Sequence, residues 1–426
     1  MIKQIFGTLG AKITVTIFAF FIVILNTRLL GAEGQGTIAL INLAIAISLS
    51  LNNFIGGGAV VYLIPRVPLN QLALPSYIWS FIVALLTFIT LSIWEIFPAE
   101  YSIHLAIISF LHSVFLFNAH VLLAKLRIST YNILLVFQVG SLLIALSIFY
   151  FILDKSDIES YLFALYLSFG LSFIFSLMSA SRHYEGKSNL NITQGAKALW
   201  KYGKHAQFAN LIHLLNKRMG YIFLDTLFPA GRSGVGIFSV GTQLSESVWI
   251  AASSLATVQY SHISNSTNTK LNKQLTLILF KISFLLALAG TLILVSFPEE
   301  LYQWVFGAEI IGIRPIIIAL SPGIVAISCD AILAHHFSGT GRQYLGTRAT
   351  LIALGVLLIA NAILIPRYGI TGAAIATSIA FIFQTVYHLI QFFKQDDVRP
   401  NELLITRNDL NQAKQIYKKL LQPKSD

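Results

Sequence analysis

The chain has 426 residues, of which 56% are hydrophobic and 11% charged, where ordinary soluble domains carry about 25% charged residues. With a mean hydropathy of +0.74, this composition excludes a soluble globular protein and points to a polytopic membrane protein. A net charge of +11 admits nucleic acid or a membrane surface as partner, and its distribution along the chain favours the membrane.

A spanning helix needs about 20 mostly apolar residues. Twelve such spans follow one another, near 7–26, 37–64, 76–97, 101–123, 131–153, 160–180, 199–226, 234–262, 274–297, 313–336, 344–365 and 370–393. The first is a span and not a cleavable signal, because Asn26, Thr27 and Arg28 make no small-residue cleavage site. The one long internal connection, 181–198, separates spans 1–6 from spans 7–12. With the N-terminus in the cytoplasm, 22 of the 29 Lys and Arg fall in inner loops and the tail, and 5 in outer loops. That asymmetry places both termini inside. It also explains the net charge without nucleic acid. The expected architecture is all-α: an N-terminal lobe (1–180), a cytoplasmic linker (181–198), a C-terminal lobe (199–394) and a basic tail (395–426). In the tail, Leu410, Ala413, Tyr417 and Leu420 recur at helical spacing beside Lys414, Lys418 and Lys419. This fits an amphipathic helix on the inner leaflet, or a solvated tail.

Span 1 is followed by "GAEGQG" (31–36) and span 7 by "GRSGVG" (231–236). Both read Gly-x-x-Gly-x-Gly, and each opens the next span. The glycines suit a tight outer turn and close helix approach. A nucleotide fingerprint has other glycine spacing and needs a preceding strand. Two repeats of six helices are a common transporter plan, with the substrate near the midplane.

Span 7 is the least apolar, and its stretch "HLLNKRMGYIFLD" (213–225) is the most unusual. An ionisable group at the bilayer centre costs roughly 2.5–3.5 kcal/mol on insertion scales, so it normally faces protein or a wet cavity. Arg218 and Asp225 share one helical stripe, flanked by His213 and Lys217. Lys201 and Lys204 lie close enough to the inner surface to snorkel. Lys217 and Arg218 lie two to three turns deeper, with Asn216 beside them. In other spans, Glu246 and Asp330 are candidates for charge pairing with these cations or for binding a coupling ion. The histidines show no repeated ligand spacing, so no metal is expected. Cys329, the single cysteine, excludes an internal disulfide and reads as a small buried hydrophobe.

No outer loop carries paired carboxylates at length. No Gly-x-Ser-x-Gly, His-Glu-x-x-His or phosphate loop is present. The chain is therefore expected to be a non-enzyme without cofactor.

The segments "LNTRLLGAEGQGTIAL" (25–40), "YGKHAQFANLIHLLNKRMG" (202–220), "WVFGAEI" (304–310), "FSGTGR" (337–342) and "NAILIPRYGITGAAIATSIAF" (361–381) resemble those of polysaccharide flippases. These are the O-antigen and capsule translocases of the multidrug/oligosaccharidyl-lipid/polysaccharide exporter (MOP) superfamily. The resemblance extends in order to about residue 395. It implies two six-helix lobes around a central cavity, in the inner (plasma) membrane. It implies a polyprenyl-diphosphate-linked oligosaccharide, such as an O-antigen repeat of lipopolysaccharide, flipped to the outer leaflet. It further implies membrane lipids, a polymerase and other assembly proteins as partners. Arg218 matches the family's arginine in span 7, and Arg28 that of the Arg-x-Leu-Gly turn. Gly220 stands where the family has Asp, which leaves Asp225 as a substitute partner for Arg218. The expected substrate set is Arg218, Lys217, His213, Asn216 and Arg28. The expected pairing or coupling set is Asp225, Glu246 and Asp330. Alternatives are a drug or metabolite antiporter of the same superfamily, a cell-wall precursor flippase, and a membrane glycosyltransferase or polymerase.

Overall fold

A computed structural model describes residues 2–93, 99–184, 192–266 and 268–404. Among them there are helices and turns and no strand. The elements are α1 (Ile2–Asn52), α2 (Gly57–Leu63), α3 (Leu69–Ile93), α4 (Ser102–Ala124), α5 (Ile128–Ser147), α6 (Ile158–Ser181), α7 (Ile192–Leu227), α8 (Gly231–Ser264), α9 (Thr269–Ser296), α10 (Glu299–Phe306), α11 (Ile313–Gly339) and α12 (Tyr344–Gln395). The expected amphipathic helix around Leu410–Leu420 lies outside the described residues, as do residues 185–191 of the predicted linker, whose residues 192–198 form the start of α7.

Eight helical segments are long and apolar enough to cross a membrane, and two of these, Gly10–Leu63 and Tyr344–Gln395, have 54 and 52 residues. At about 1.5 Å per residue each is more than twice the roughly 30 Å hydrocarbon core. Each holds two of the predicted spans. Gly31 in α1 (φ 68°, ψ −167°) and Gly369 in α12 (φ 55°, ψ −131°) break the helical path between them. Glycine reaches these angles without a Cβ penalty. Predicted span 2 is interrupted: after Asn52 come a tight turn, Asn53–Ile55, and then α2, with Gly57 at φ 56°. Spans 7 and 8 correspond to α7 and α8, which are too polar to count among the eight.

The chain divides into two compact units: unit 1 is Met1–Ile237 with Gln303–Ile310, and unit 2 is Phe238–Tyr302 with Ile311–Asp426. The predicted lobe boundary lies earlier, in 181–198. The difference is α7. A Cβ on Gly195 would strike the carbonyl of Gln71, and one on Gly203 that of Phe54. Leu199 is fully buried with Val60, Leu63, Leu69 and Leu72. The inner half of α7 is thus packed on α2 and α3, inside unit 1.

Lipid tails are as apolar as leucine, so helices in a membrane associate through close packing and polar contacts. Unit 1 uses both. Ser168, Ser172, Ser176 and Ala180, one turn apart on α6, are each 0% exposed. Ser168 exchanges hydrogen bonds with Gln138 of α5, and Ser176 accepts one from Asn118 of α4. α1 and α5 run parallel, from Asn132 donating to Thr8 (3.1 Å), past Gly140 against Phe18, to Tyr150 donating to Asn26 (3.1 Å). In unit 2, Gly323 of α11 donates its N–H to Ser378 Oγ of α12 at 2.7 Å. Glu299 accepts from the amides of Gly312, Ile313 and Arg314 and so caps α11.

The two glycine motifs meet within unit 1. A Cβ on Gly36 would collide with the carbonyl of Arg232 and lie 3.0 Å from the Gly236 nitrogen. A Cβ on Gly236 would collide with the carbonyl of Ala32 and lie 3.0 Å from the Gly36 nitrogen. The contact is reciprocal, residue for residue, at an offset of 200 positions. It has the self-complementary form of a two-fold contact. Gly36→Val or Gly236→Val should therefore cost about 1–3 kcal/mol or more through overpacking. Gly10→Ala, whose added carbon meets nothing within 4 Å, should not. Thermal unfolding of the detergent-purified protein, followed by size-exclusion, distinguishes the two outcomes.

Candidate functional site

The outer half of α7 carries the charged stretch. Ile212, Asn216, Tyr221 and Leu224 are buried, while His213, Lys217, Arg218 and Asp225 are half-buried. Two cations thus sit partly buried on consecutive residues of one helix. The Arg218 guanidinium carbon lies 5.4 Å from the Tyr221 ring centroid, within cation–π range.

Asp225 does not partner Arg218. Its carboxylate lies toward the turn after α7, 3.8 Å from where a Cβ of Gly231 would stand, and the charge acting on it is Arg232. The geometric reason is rise: seven residues along a helix are about 10.5 Å, which places Asp225 at the outer end and Arg218 well below it.

Arg28 is engaged elsewhere. Its Nε donates to the carbonyl of Val305 at 2.9 Å and its Nη2 to that of Trp304. These are terminal carbonyls of α10, where a cation is favoured. Three residues on, Glu309 accepts from Ala32 N at 3.2 Å, beside the break at Gly31. Arg28 and Glu309 therefore pin the α1 turn to Gln303–Ile310 in unit 1. Glu309 was not among the sequence candidates. Its place in "WVFGAEI" was the available signal.

Asp330, on α11 of unit 2, is 2% exposed and both its oxygens are held. His388 Nδ1 approaches Oδ1 at 2.6 Å, and Gln384 Nε2 donates to Oδ2 at 2.6 Å. Both partners come from α12, one turn apart. His388 is 0% exposed, and its Nε2 is buried without a hydrogen-bond partner. Sequence reading missed His388 and Gln384, although a histidine inside an apolar span is itself a marker. Glu246 is half-buried on α8. The structure thus groups His213, Asn216, Lys217 and Arg218 on α7 of unit 1. Arg28 is in another part of that unit, and Glu246 and Asp330 are on unit 2.

No family model matches the chain. Two curated relatives do. One is the probable low-salt glycan biosynthesis flippase Agl15 of Haloferax volcanii, 23% identical over 235 residues, which are 54% of this chain and 48% of that protein. The other is the uncharacterized membrane protein MJ1068 of Methanocaldococcus jannaschii, 26% identical over 110 residues, 26% of this chain and 22% of that one. The match therefore spans about half the length of the first relative and less of the second. Among solved structures, the lipid II flippase MurJ in an inward closed conformation superposes with a TM-score of 0.77 over 98% of this chain and 93% of MurJ, at 15% identity. An inward-facing MATE family transporter of the MOP superfamily gives 0.70 over 90% and 94%, at 16% identity. A MOP superfamily transporter from Pyrococcus furiosus, described as having a binding pocket of reverse polarity, gives 0.63 over 92% and 95%, at 15% identity.

The chain has the MOP-superfamily fold.

It is a multi-pass integral membrane protein, with homology to a glycan biosynthesis flippase. On this MOP fold the two buried-charge features differ in kind. The α7 cations are half-buried, whereas Asp330 and His388 are enclosed by side chains of their own unit. Removing one partner of a buried charge pair costs about 3–5 kcal/mol. His388→Ala should therefore lower the unfolding temperature more than Asp330→Asn, which keeps the shape and leaves no charge. In a double-mutant cycle of the two positions the losses should be non-additive, and additive losses would mean the contact is not formed.

Proposed function

We propose that the protein is a flippase that moves a polyprenyl-diphosphate-linked oligosaccharide from the cytoplasmic to the outer leaflet by alternating access. The observation that carries this reading is the adjacent pair Lys217 and Arg218, half-buried within α7. Arginine binds phosphate oxygens in pairs and lysine adds a point charge, a combination suited to a lipid diphosphate. His213 and Asn216 on the same stretch add hydrogen-bonding capacity for phosphate or sugar. The homology to a protein named as a glycan biosynthesis flippase supports the cargo class. Arg28 is left out of the cargo-binding set, because its guanidinium is held by the carbonyls of α10.

The cell interior is electrically negative. Outward movement of an anion is therefore downhill by roughly 2.3 kcal/mol per charge per 100 mV, and the membrane potential alone can drive export. Ion antiport is the second route. What favours it is Asp330, a buried carboxylate beside a histidine that retains a free ring nitrogen. The reading places the protein in the cytoplasmic membrane, with an O-antigen, capsule or related repeat unit as cargo and a polymerase downstream.

Arg218→Ala, at normal expression, should abolish surface glycan and leave lipid-linked oligosaccharide on the inner leaflet. Arg218→Lys should retain part of the activity. Glycan display is read by lectin or antiserum binding, and the accumulated intermediate by mass spectrometry. Intact display in Arg218→Ala cells, with the protein present in the membrane, would sink the proposal.

A further inference from the structure

A lateral groove opens on unit 1 between α1 and α5. It has a volume of about 450 Å³ and is lined by Gly7, Ala11, Asn132, Ile133, Val136 and Phe137. Position 7 leaves it open: a Cβ there would meet only Asn132 Nδ2, at 3.9 Å. Ile133 and Phe137 are 56% and 37% exposed. All six residues fall at the starts of predicted spans 1 and 5, which the lysine and arginine asymmetry places at the inner membrane surface. An apolar groove in that position meets lipid.

One wall of the groove is polar. Asn132 is 8% exposed. Its Nδ2 donates to Thr8 Oγ1 at 3.1 Å, and its Oδ1 is buried without a hydrogen-bond partner. An unpaired amide end at such a depth is costly, and it lies on the lining of an open groove. A hydroxyl can pair with either end of a carboxamide. Asn132 can therefore turn either its carbonyl or its N–H to a ligand while Thr8 holds the other end.

Cations gather above this wall. Arg127, the residue before α5, stands five residues from Asn132, or about 7.5 Å along the axis. That is close to the thickness of one headgroup layer. Arg127 and Arg182 are both exposed. Burial holds the His183 imidazole below its ordinary pKa, and the charges of Arg127, Lys125 and Arg182 push it the same way. Three cations from the α4–α5 turn and the end of α6 thus converge on one point. Arg182 continues the α6 stripe of Phe175, and the Phe175 ring meets Phe137 of the groove edge-on at 5.5 Å.

We propose that this is a binding site for an anionic glycerophospholipid of the inner leaflet. Its phosphate lies on Arg127, Lys125 and Arg182, its glycerol oxygens lie at Asn132, and one of its chains lies in the groove. The order of cations, amide and apolar groove with depth is the order of phosphate, glycerol oxygens and chain in such a lipid. Arginine pairs with phosphate oxygens, and basic pockets between helices at the cytoplasmic surface favour anionic head groups. A polyprenyl diphosphate joins its phosphate directly to the chain and has no glycerol oxygen for Asn132 to meet. The site therefore takes a lipid of the bilayer and not the cargo proposed for Lys217 and Arg218, and it stands whatever that cargo is.

The test is native mass spectrometry of the full-length, detergent-purified protein. It is titrated with phosphatidylglycerol or with phosphatidylcholine of the same chains. Phosphatidylglycerol should bind more tightly, by roughly fivefold per cation engaged. The double variant Arg127→Gln/Arg182→Gln should lose roughly 25-fold in phosphatidylglycerol affinity and keep its phosphatidylcholine affinity. Gly7→Leu, which fills the groove and leaves the cations in place, should weaken both lipids. Equal affinity of the wild type for the two lipids, or phosphatidylglycerol binding unchanged in either variant, overturns the proposal. So does displacement of phosphatidylglycerol by a polyprenyl phosphate at equal concentration. The double variant changes exposed side chains only, so it decides the matter if Gly7→Leu does not fold.

Discussion

A polar group in hydrocarbon has no water to fall back on, and an unmade hydrogen bond there costs several kcal/mol. That constraint holds within a predicted span at Asp330, and the same satisfaction is found at the span ends, at Glu299 and Arg342. Glu299 spends its two oxygens on three backbone amides at the start of α11. Asp330 has both oxygens occupied by α12. Arg342 has an acceptor for every N–H. Each joins elements that follow one another in the chain, α10 with α11 or α11 with α12, and ties them together. The hydrophobic effect does little of this work, because lipid competes equally for apolar faces.

α7 stands apart under the same constraint. Its inner half is held by glycines set against the carbonyls of Gln71 and Phe54, which fixes its position by backbone contact. Its outer half carries Lys217 and Arg218, both half-buried.

Much of the fold was legible because it follows from composition and spacing. Twelve apolar stretches, glycine at both outer breaks and lysine–arginine asymmetry are local signals, and they predict local features. Gly31, the first residue of the motif read there, breaks the helical path between the first two predicted spans, and Gly369 breaks it between the last two. What could not be read depends on partners far along the chain. Arg28 was placed in the substrate set because it matches the arginine of the family's Arg-x-Leu-Gly turn. Its actual acceptors lie 276 and 277 residues away. His388 was overlooked because a lone histidine on an apolar face is ordinary until Asp330 is found opposite it. The unit boundary fell after α7 because backbone contacts at Gly195 and Gly203 have no signature beyond the glycines themselves.

The meeting of Gly36 with Gly236 has a consequence for how the chain tolerates change. In a true homodimer, one substitution at a two-fold contact appears twice, on both sides at once. Here the same geometry lies within a single chain, so each glycine mutates alone. A side chain gained at position 36 is not mirrored at 236 and meets a bare backbone there. The two motifs are thus constrained as partners and also as copies. Drift in either one is limited by the shape of the other.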